Sequence, residues 1–203
     1  MTRSVRAFPA ALAVLCALAA CDRPRTAAKR EQWGPVTVAG ITLATPGRLL
    51  QITTEVPAAL DPAVREMVQR IDSYGRTIDD TEIRVSRVIY RPQAVLSAES
   101  SAQSALNAVR ENPAIEKFTH AQARVQTSGA PSVRTSMRFD VRGQAAMGEM
   151  LTVLRGQTLW QVQVLGPVNP QTDSTAERVM QSIQLAPEAG GVMEELADSP
   201  RDP

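Results

Sequence analysis

The chain is poor in the side chains that most enzymes use for nucleophilic or metal chemistry. It has one histidine, His120, and two cysteines among its 203 residues. Catalysis by a serine needs a base within hydrogen-bond distance, and neither a G-x-S-x-G nor an S-x-x-K motif supplies the nucleophile. We therefore predict no enzymatic activity, no catalytic residues, no metal site and no cofactor. The alternative is a small hydrolase that uses a serine together with His120.

An excess of charge of one sign is also lacking. The 22 basic and 21 acidic side chains give a net charge of +1, and without Arg3 and Arg6 of the first 20 residues the balance is about −1. A near-neutral chain has no overall field that attracts nucleic acid, so we expect no such partner. The small acidic cluster of Asp79, Asp80 and Glu82 does not have the spacing of a calcium loop and indicates a solvated turn.

Both cysteines lie at the start of the chain, in or next to an apolar run. Two arginines precede the run over residues 7–20, and its 14 residues are fewer than the roughly 20 that a membrane-spanning helix needs. The run ends in Leu-Ala-Ala-Cys at residues 18–21, which resembles the lipobox of bacterial lipoproteins. We predict a signal peptide over residues 1–20 and lipid attachment at Cys21. The alternative is an ordinary secretory signal, since residues 17–19 also match an A-x-A cleavage pattern.

This leader predicts where the protein works. The lipoprotein resemblance implies two or three acyl chains, which anchor a protein stably in a membrane. A single acyl chain gives only marginal binding. Asp22 directly follows Cys21 and resembles the signal that retains lipoproteins in the inner membrane. We therefore expect a lipid-anchored protein on the periplasmic face of the inner membrane, with the outer membrane as the alternative. We also expect the membrane, through this lipid, to be one of its partners.

The rest of the chain divides into a linker, one domain and a tail. Residues 21–35 are charged and proline-punctuated and predict a flexible linker. Residues 36–186 carry apolar periodicity and predict the folded domain, and residues 187–203 predict a disordered acidic tail. Within the domain we predict strands over 36–43 (kinked near Gly40), 49–56, 82–90, 118–127, 133–142, 147–154 and 158–165, and helices over 61–75, 97–111 and from a capping box at Ser174 to Ile183.

This order of elements predicts an α+β fold, a mostly antiparallel sheet with helices packed on it. The opening Gly-Ile-Thr-Leu-Ala-Thr-Pro at residues 40–46 and the closing segment at 177–185 resemble the PsbP-like superfamily. That superfamily includes a photosystem II extrinsic subunit and bacterial lipoproteins of the DcrB and LpqN type. The resemblance implies an α/β/α sandwich that is non-enzymatic and docks on other proteins, and it carries over no catalytic residue.

One strand also predicts a candidate docking site. Arg134, Arg138 and Arg142 alternate with apolar residues over 133–142, and residues four apart on a strand point the same way, about 13 Å apart. A solvated sheet face explains this arginine series most simply. The sharper interpretation is a surface that binds an acidic partner or anionic lipid headgroups. We thus predict a protein-binding or assembly module whose partner is an envelope protein, with a carrier of lipid or another apolar ligand as the alternative.

Overall fold

The computed structural model describes residues 32–53 and 62–187. The predictions for the leader, for most of the linker and the tail, and for residues 54–61 lie outside these ranges, and the domain begins with β1 at Gly34, two residues before the predicted boundary. The described elements are β1 (Gly34–Val38), β2 (Ile41–Thr45), β3 (Leu50–Ile52), α1 (Pro62–Met67), β4 (Val68–Ile78), β5 (Thr81–Tyr90), α2 (Ala98–Arg110), β6 (Ile115–Thr127), β7 (Ala130–Val141), β8 (Gln144–Arg155), β9 (Thr158–Pro167), α3 (Pro170–Gln181) and β10 (Gln184–Leu185). Within these ranges no helix is long and apolar enough to cross a bilayer.

The strands form two antiparallel sheets. The larger sheet has the strand order β3-β4-β5-β9-β8-β7-β6, and the smaller has the order β1-β2-β10. Helix α2 packs on one face of the larger sheet, where Ala102 and Leu106 meet Met137 and Phe139. Helix α3 and the smaller sheet cover the other face. The predicted α+β class, a mostly antiparallel sheet with helices packed on it, is confirmed.

Tight turns set the register of the long hairpins. Asp79 and Asp80, Ser128 and Gly129, and Arg142 and Gly143 form pairs with positive φ, as two-residue hairpin turns require. The strands on either side of these turns pair without a gap, for example Thr127 with Ala130. The predicted turn at Asp79 and Asp80 is confirmed, and so is a turn near Gly143, which the sequence predicts between the strands over 133–142 and 147–154.

The helix predicted over residues 61–75 is wrong beyond Met67. Strand β4 begins at Val68 and pairs with β5 down to Ile78. Residues three apart normally face opposite sides of a strand, but a β-bulge between Val68 and Arg70 brings Val68 and Ile71 to the same side, against Val88 and Tyr90. Tertiary pairing thus prevails over the local helical pattern. Gly75 does not end a helix. A Cβ there would lie 2.6 Å from Cδ1 of Ile52, so glycine allows β3 to approach β4.

Three further boundaries differ from the prediction. The kinked first strand is instead a hairpin, because Ala39 and Gly40 both have positive φ and turn β1 back onto β2.

The last helix begins at Pro170, because the side chain of Asn169 accepts a hydrogen bond from the backbone N–H of Thr172 at 2.8 Å. Asparagine at the N-cap with proline after it is a strong start signal, and it precedes the predicted capping box by one turn. Strand β3 ends at Ile52, so the predicted strand to residue 56 runs past the described residues.

The core between the larger sheet and α3 is centred on Trp160. Its side chain is fully buried, and its indole N–H donates a hydrogen bond to the backbone oxygen of Ala39 at 2.9 Å. This bond ties the turn of the smaller sheet to β9 of the larger one. The sequence places Trp160 in the predicted strand over 158–165 with Val162 and Val164 on the same face, which predicts a core residue, and the structure confirms this.

The helix predicted over 61–75 would place Asp72 on a helix surface, but Asp72 lies buried in the sheet. Its carboxylate accepts hydrogen bonds from Nη2 of Arg87 at 2.6 Å and from Nε of Arg70 at 2.9 Å. Burial alone raises the pKa of Asp72, but the two arginines outweigh burial and hold this pKa below its ordinary value.

The lowered pKa of Asp72 predicts sensitivity to acid. Its contribution to stability is present above the unfolded pKa of about 3.9 and is lost as pH falls through the lower folded value. We expect Asp72→Asn to lower the free energy of unfolding at pH 7 and to make the further loss between pH 5 and 2 smaller. Urea denaturation across that range measures both effects. Asp80→Asn, in an exposed turn, is the control, and equal acid curves for wild type and Asp72→Asn would contradict the assignment.

Candidate partner-binding surface

Arg134, the first member of the predicted arginine series, holds α3 against the sheet. Its Nε donates to Oε2 of Glu149 on β8 at 2.9 Å, and its Nη2 donates to Oε2 of Glu177 on α3 at 2.8 Å. The hydrogen bond to Glu177 raises the pKa of Arg134, while burial opposes the rise. Arg134 in turn lowers the pKa of Glu177. Two of the five N–H donors of this guanidinium are therefore used within the molecule.

The other two arginines are much freer. Arg138 is 59% exposed and only approaches Asp173 of α3, at 3.7 Å. Arg142 lies beyond the end of β7, in an exposed turn with φ of 51°. The predicted strand, with buried residues alternating with more exposed ones, is confirmed, except that β7 ends at Val141 and α3 covers part of the face that carries Arg134. The structure thus places Arg134 and Arg138 on one face and Arg142 apart from them.

Replacing Arg134 tests its place in the fold. We expect Arg134→Gln to lower the free energy of unfolding by about 1 kcal/mol, because Glu149 is left with a half-buried charge and α3 loses its tie to the sheet. The matched variant Arg138→Gln removes only a long, exposed contact and should cost less than about 0.5 kcal/mol. Urea midpoints of the two variants give the comparison. Equal losses would show that Arg134 does not hold α3.

Strand β6 offers a different surface. It is the last strand of the larger sheet and has β7 on one side only. Residues 119–126 are exposed and only Thr127 at the end is buried. We call residues 119–127 the edge segment. This stretch, Thr-His-Ala-Gln-Ala-Arg-Val-Gln-Thr, contains no proline, glycine, lysine or acidic residue.

The hairpin fixes which backbone groups of the edge segment are unpaired. Thr127 and Ala130 flank the two-residue turn, so they exchange both backbone hydrogen bonds. Pairing alternates along antiparallel strands, so Thr119, Ala121, Ala123 and Val125 also point their N–H and C=O groups at β7. The N–H and C=O groups of the residues between them point away from the sheet; these residues are His120, Gln122, Arg124 and Gln126.

Such an edge is unusual because natural sheets shorten, charge or distort their edges to prevent unwanted pairing. Among the described strands, the other outer ones are short: β3 has three residues, β1 has five and β10 has two. A β-bulge distorts β6 between Glu116 and Thr119, and Lys117 there pairs with Asp140 at 2.6 Å. The edge segment begins where this protection stops. Strand β4 is paired on its outer side with β3 only at Ser73–Gly75, which leaves at most five consecutive residues of β4 without a described neighbour. The nine residues of the edge segment form the longest continuous edge among the described strands.

The two faces of the edge segment differ in chemistry. On the α2 side, Nε of Arg124 pairs with Oε1 of Glu99 at 3.1 Å, and His120 stacks on Phe118 with ring centroids 5.8 Å apart. On the α3 side lie the small side chains of Ala121, Ala123 and Val125. A shallow groove of about 410 Å³ runs from Ala121 past Arg138 to Asp173 in the first turn of α3.

A single histidine in a polar strand is most simply a surface residue, and His120 is exposed. The nearby Ser136 is paired with Ala121, whereas His120 is paired with Met137, so Ser136 and His120 point to opposite faces of the sheet. Within residues 32–53 and 62–187, no group of three or more potential ligands among His, Cys, Asp and Glu could hold a metal. The lack of enzymatic activity stays a prediction.

The layer between α2 and the sheet is polar at its centre. Thr135, Thr152, Gln161 and Gln163 are buried there and lie on the same face of β7, β8 and β9, because Thr152 is paired with Gln161. Oγ1 of Thr152 and Oε1 of Gln161 have no hydrogen-bond partner. A lipid or other apolar ligand held between sheet and α2 would meet these polar groups, so the layer does not favour the carrier alternative.

Sequence reasoning found the arginine series but missed the edge segment. Strand β6 was predicted over residues 118–127, and the structure confirms that strand. Its position at the end of the sheet depends on the pairing of β7 with β8, which local patterns do not specify. A signal was nevertheless present: the residues that alternate with polar ones, Ala121, Ala123 and Val125, are on average smaller than the apolar residues on the buried face of β7.

Comparisons with known proteins leave the family open. No family model matches the chain, and no curated protein matches it. Among solved structures, LpqN, described as involved in cell envelope biogenesis of Mycobacterium tuberculosis, is similar at 14% identity and a TM-score of 0.46, over 77% of this chain and 91% of that one.

Two other solved structures are similar at the same level. A Pseudomonas aeruginosa protein of unknown function has 13% identity and a TM-score of 0.38, over 83% of this chain and 99% of its own. A Bacteroides thetaiotaomicron protein has 9% identity and a TM-score of 0.42, over 79% of this chain and 50% of its own. These values are too low to assign the chain to a family, and the resemblance to the PsbP-like superfamily stays a prediction.

Proposed function

We propose that this protein is a lipoprotein of the bacterial cell envelope whose folded domain binds a partner protein and catalyses no reaction. Lipid at Cys21 anchors it to the periplasmic face of the inner membrane. The Leu-Ala-Ala-Cys segment at residues 18–21 supports the anchor. The edge segment of β6 supports the binding function.

The exposed edge segment is the observation that carries this proposal. Its outward N–H and C=O groups form a regular template for an added strand, the mode of recognition in which main-chain hydrogen bonds supply affinity and alternate side chains supply specificity. At the opposite end of the larger sheet, the short strand β3 covers three residues of β4, and the uncovered stretches of β4 are shorter than the edge segment. A partner strand would complete the sheet at this end.

The arginine series contributes unequally to this surface. Arg138 is exposed beside the groove on the α3 side, and Arg142 is exposed at the far end of β7. Both are available to an acidic partner or to anionic headgroups, at about 1 kcal/mol per arginine near a membrane surface. Arg134 contributes less because Glu149 and Glu177 already neutralise it.

The length of the linker limits the distance between the binding surface and the membrane. A flexible coil of the length predicted for the linker, from Cys21 to the start of β1 at Gly34, would span about 20 Å. The edge segment is thus confined to a thin layer above the headgroups. Confinement of this kind raises the effective concentration of any partner anchored in the same membrane.

Site-specific photocross-linking in intact cells tests the proposal. A benzophenone amino acid placed at Gln122, in the middle of the edge segment, should capture a protein as a discrete adduct on gels of the membrane fraction. The same amino acid at Gln103, exposed on α2, is the control. Discrete adducts at Gln122 and none at Gln103 support the proposal. Equal or absent adducts at both positions overturn binding through the edge.

A further inference from the structure

The sequence of the edge segment is nearly symmetric about Ala123. Read outward from Ala123, it gives Gln122 against Arg124, Ala121 against Val125, His120 against Gln126 and Thr119 against Thr127. The positions are therefore small or β-branched on one face and polar on the other, in both directions. A strand with this symmetry presents the same surface to a copy of itself turned through 180°.

We infer that the partner of the edge segment is a second copy of this chain, paired antiparallel about a two-fold axis at Ala123. This inference rests on the proposed binding function and names its partner. The two larger sheets would then join into one continuous sheet across the dimer. A two-fold interface is self-complementary, so each position of one copy meets the symmetric position of the other.

The backbone satisfies this arrangement. With the axis at Ala123, Gln122 of one copy lies opposite Arg124 of the other, and His120 lies opposite Gln126. These are the residues whose N–H and C=O groups point away from β7, so the pairs exchange about eight hydrogen bonds across the dimer. The two copies of Ala123 face each other as a non-hydrogen-bonded pair, the closer kind of pair.

The side chains distinguish this register from its neighbours. Moving the axis to Arg124 would place the two copies of Arg124 directly opposite each other, and like charges in that position are destabilising. Moving it to Gln122 would pair Arg124 with His120 and leave Gln126 facing the bulge that precedes Thr119. With the axis at Ala123, Arg124 faces an amide.

Both faces of the joined sheet are then compatible. On the α3 side, Ala123 meets Ala123, and Ala121 meets Val125, which is 37% exposed in the single chain. On the α2 side, the two Arg124 side chains are diagonal neighbours, and each is already paired with its own Glu99 at 3.1 Å. Pairing removes the exposed edge that would otherwise be prone to aggregation.

Edge pairing buries little side-chain surface, so we expect the dimer to depend on the anchoring of both copies in one membrane. Two strands of nine residues that join side by side cover less area than the roughly 1,200 Å² of a standard stable interface. Anchoring both copies in one membrane converts the encounter into one at high effective concentration. We therefore expect the dimer on membranes, and the test uses the full chain in them.

Cysteine scanning in membranes tests the two-fold axis. In Ala123→Cys, the two thiols lie on residues whose Cα atoms are about 4.5 Å apart, inside the range of a disulfide at about 4.4–6.8 Å. In Ala121→Cys or Val125→Cys, the like residues of the two copies are four positions out of register, about 13 Å apart. Mild oxidation should therefore yield a disulfide-linked dimer of Ala123→Cys alone. The unmodified chain, which retains only its own cysteines, should yield none.

Two further samples fix the orientation and the role of the backbone. Membranes that contain both Ala121→Cys and Val125→Cys should give the mixed dimer, because these positions face each other across the axis. Adding Gln122→Pro to Ala123→Cys should reduce the dimer at least tenfold, because proline removes an outward N–H without touching the bonds to β7. Adding Gln122→Ala, which keeps that N–H, should leave most of the disulfide-linked dimer intact.

The possible results separate this inference from the proposed function. Equal cross-linking at positions 121, 123 and 125, or none at all, overturns the two-fold pairing. If photocross-linking at Gln122 then yields an adduct with another protein, binding through the edge stands and only the second copy is excluded. If both experiments fail, the edge segment has no strand partner and both proposals fall.

Discussion

Replacing Cys21 by serine is expected to abolish incorporation of radiolabelled palmitate into the protein. The diacylglyceryl group attaches to the cysteine sulfur in bacterial lipoproteins, so a hydroxyl at this position offers no acceptor. The effect should be complete, because the chain has only one other cysteine. Gel autoradiography after metabolic labelling measures the incorporation.

Cys16→Ser is the matched control for Cys21→Ser. Cys16 lies within the apolar run, five residues before Cys21, and we predict that it is removed with the signal peptide. Labelling should persist in Cys16→Ser at the wild-type level. Persistent labelling in Cys21→Ser, or its loss in Cys16→Ser, would contradict the lipid anchor and with it the localisation.

Replacing Trp160 by alanine is expected to have the largest effect on folding. A fully buried tryptophan leaves a cavity when truncated and costs about 3–5 kcal/mol. Ala39 also loses the hydrogen bond that links the smaller sheet to β9. Domains of this kind are stable by about 5–15 kcal/mol in total, so the variant should unfold at a much lower urea concentration. Circular dichroism gives the midpoint without relying on tryptophan emission.

Trp33 provides the comparison. It is partly buried against the same core, with the guanidinium carbon of Arg178 4.3 Å above its ring. Trp33→Ala should lose the cation–π contact and some packing, about 1 kcal/mol. A loss as large as that of Trp160→Ala would mean that the smaller sheet, and not the core under α3, limits stability.

Elements with a clear local pattern of apolar residues, turns or caps could be predicted from the sequence. Strand β7 alternates apolar and polar residues and ends at a turn with glycine, and β9 is apolar enough to identify it as a central strand. Helix α2 was predicted over 97–111 and lies at Ala98–Arg110, because Ser97 caps it by accepting a hydrogen bond from the N–H of Ser100. Local propensity and tertiary packing agree in these segments.

Local and tertiary preferences disagree elsewhere. Residues 68–78 have apolar side chains at helical spacing, but pairing with β5 and the ion pairs of Asp72 make them a strand. The arginine series looked uniform because a strand places alternate residues on one face. Arg134 and Arg138 differ in their partners on α3, which are Glu177 for Arg134 and Asp173 for Arg138. Both partners lie more than 30 residues away in the chain.

The edge segment shows a further limit of sequence reasoning. Its symmetry about Ala123 is visible in the sequence, but symmetry has meaning only for a strand that lacks a neighbour. The order of β6, β7 and β8 in the sheet supplies that fact. The candidate site therefore came from topology and sequence together, because neither alone identifies an open edge.

Hydrogen exchange of the edge segment in native membranes tests most directly whether a partner strand covers β6. The amides of Ala121, Ala123 and Val125 are bonded to β7 and should exchange slowly in any state. If a strand is added to the edge, the outward amides of His120, Gln122, Arg124 and Gln126 should exchange slowly as well. Fast exchange at these four positions, alternating with slow exchange at their neighbours, would show an uncovered edge and contradict the proposed function.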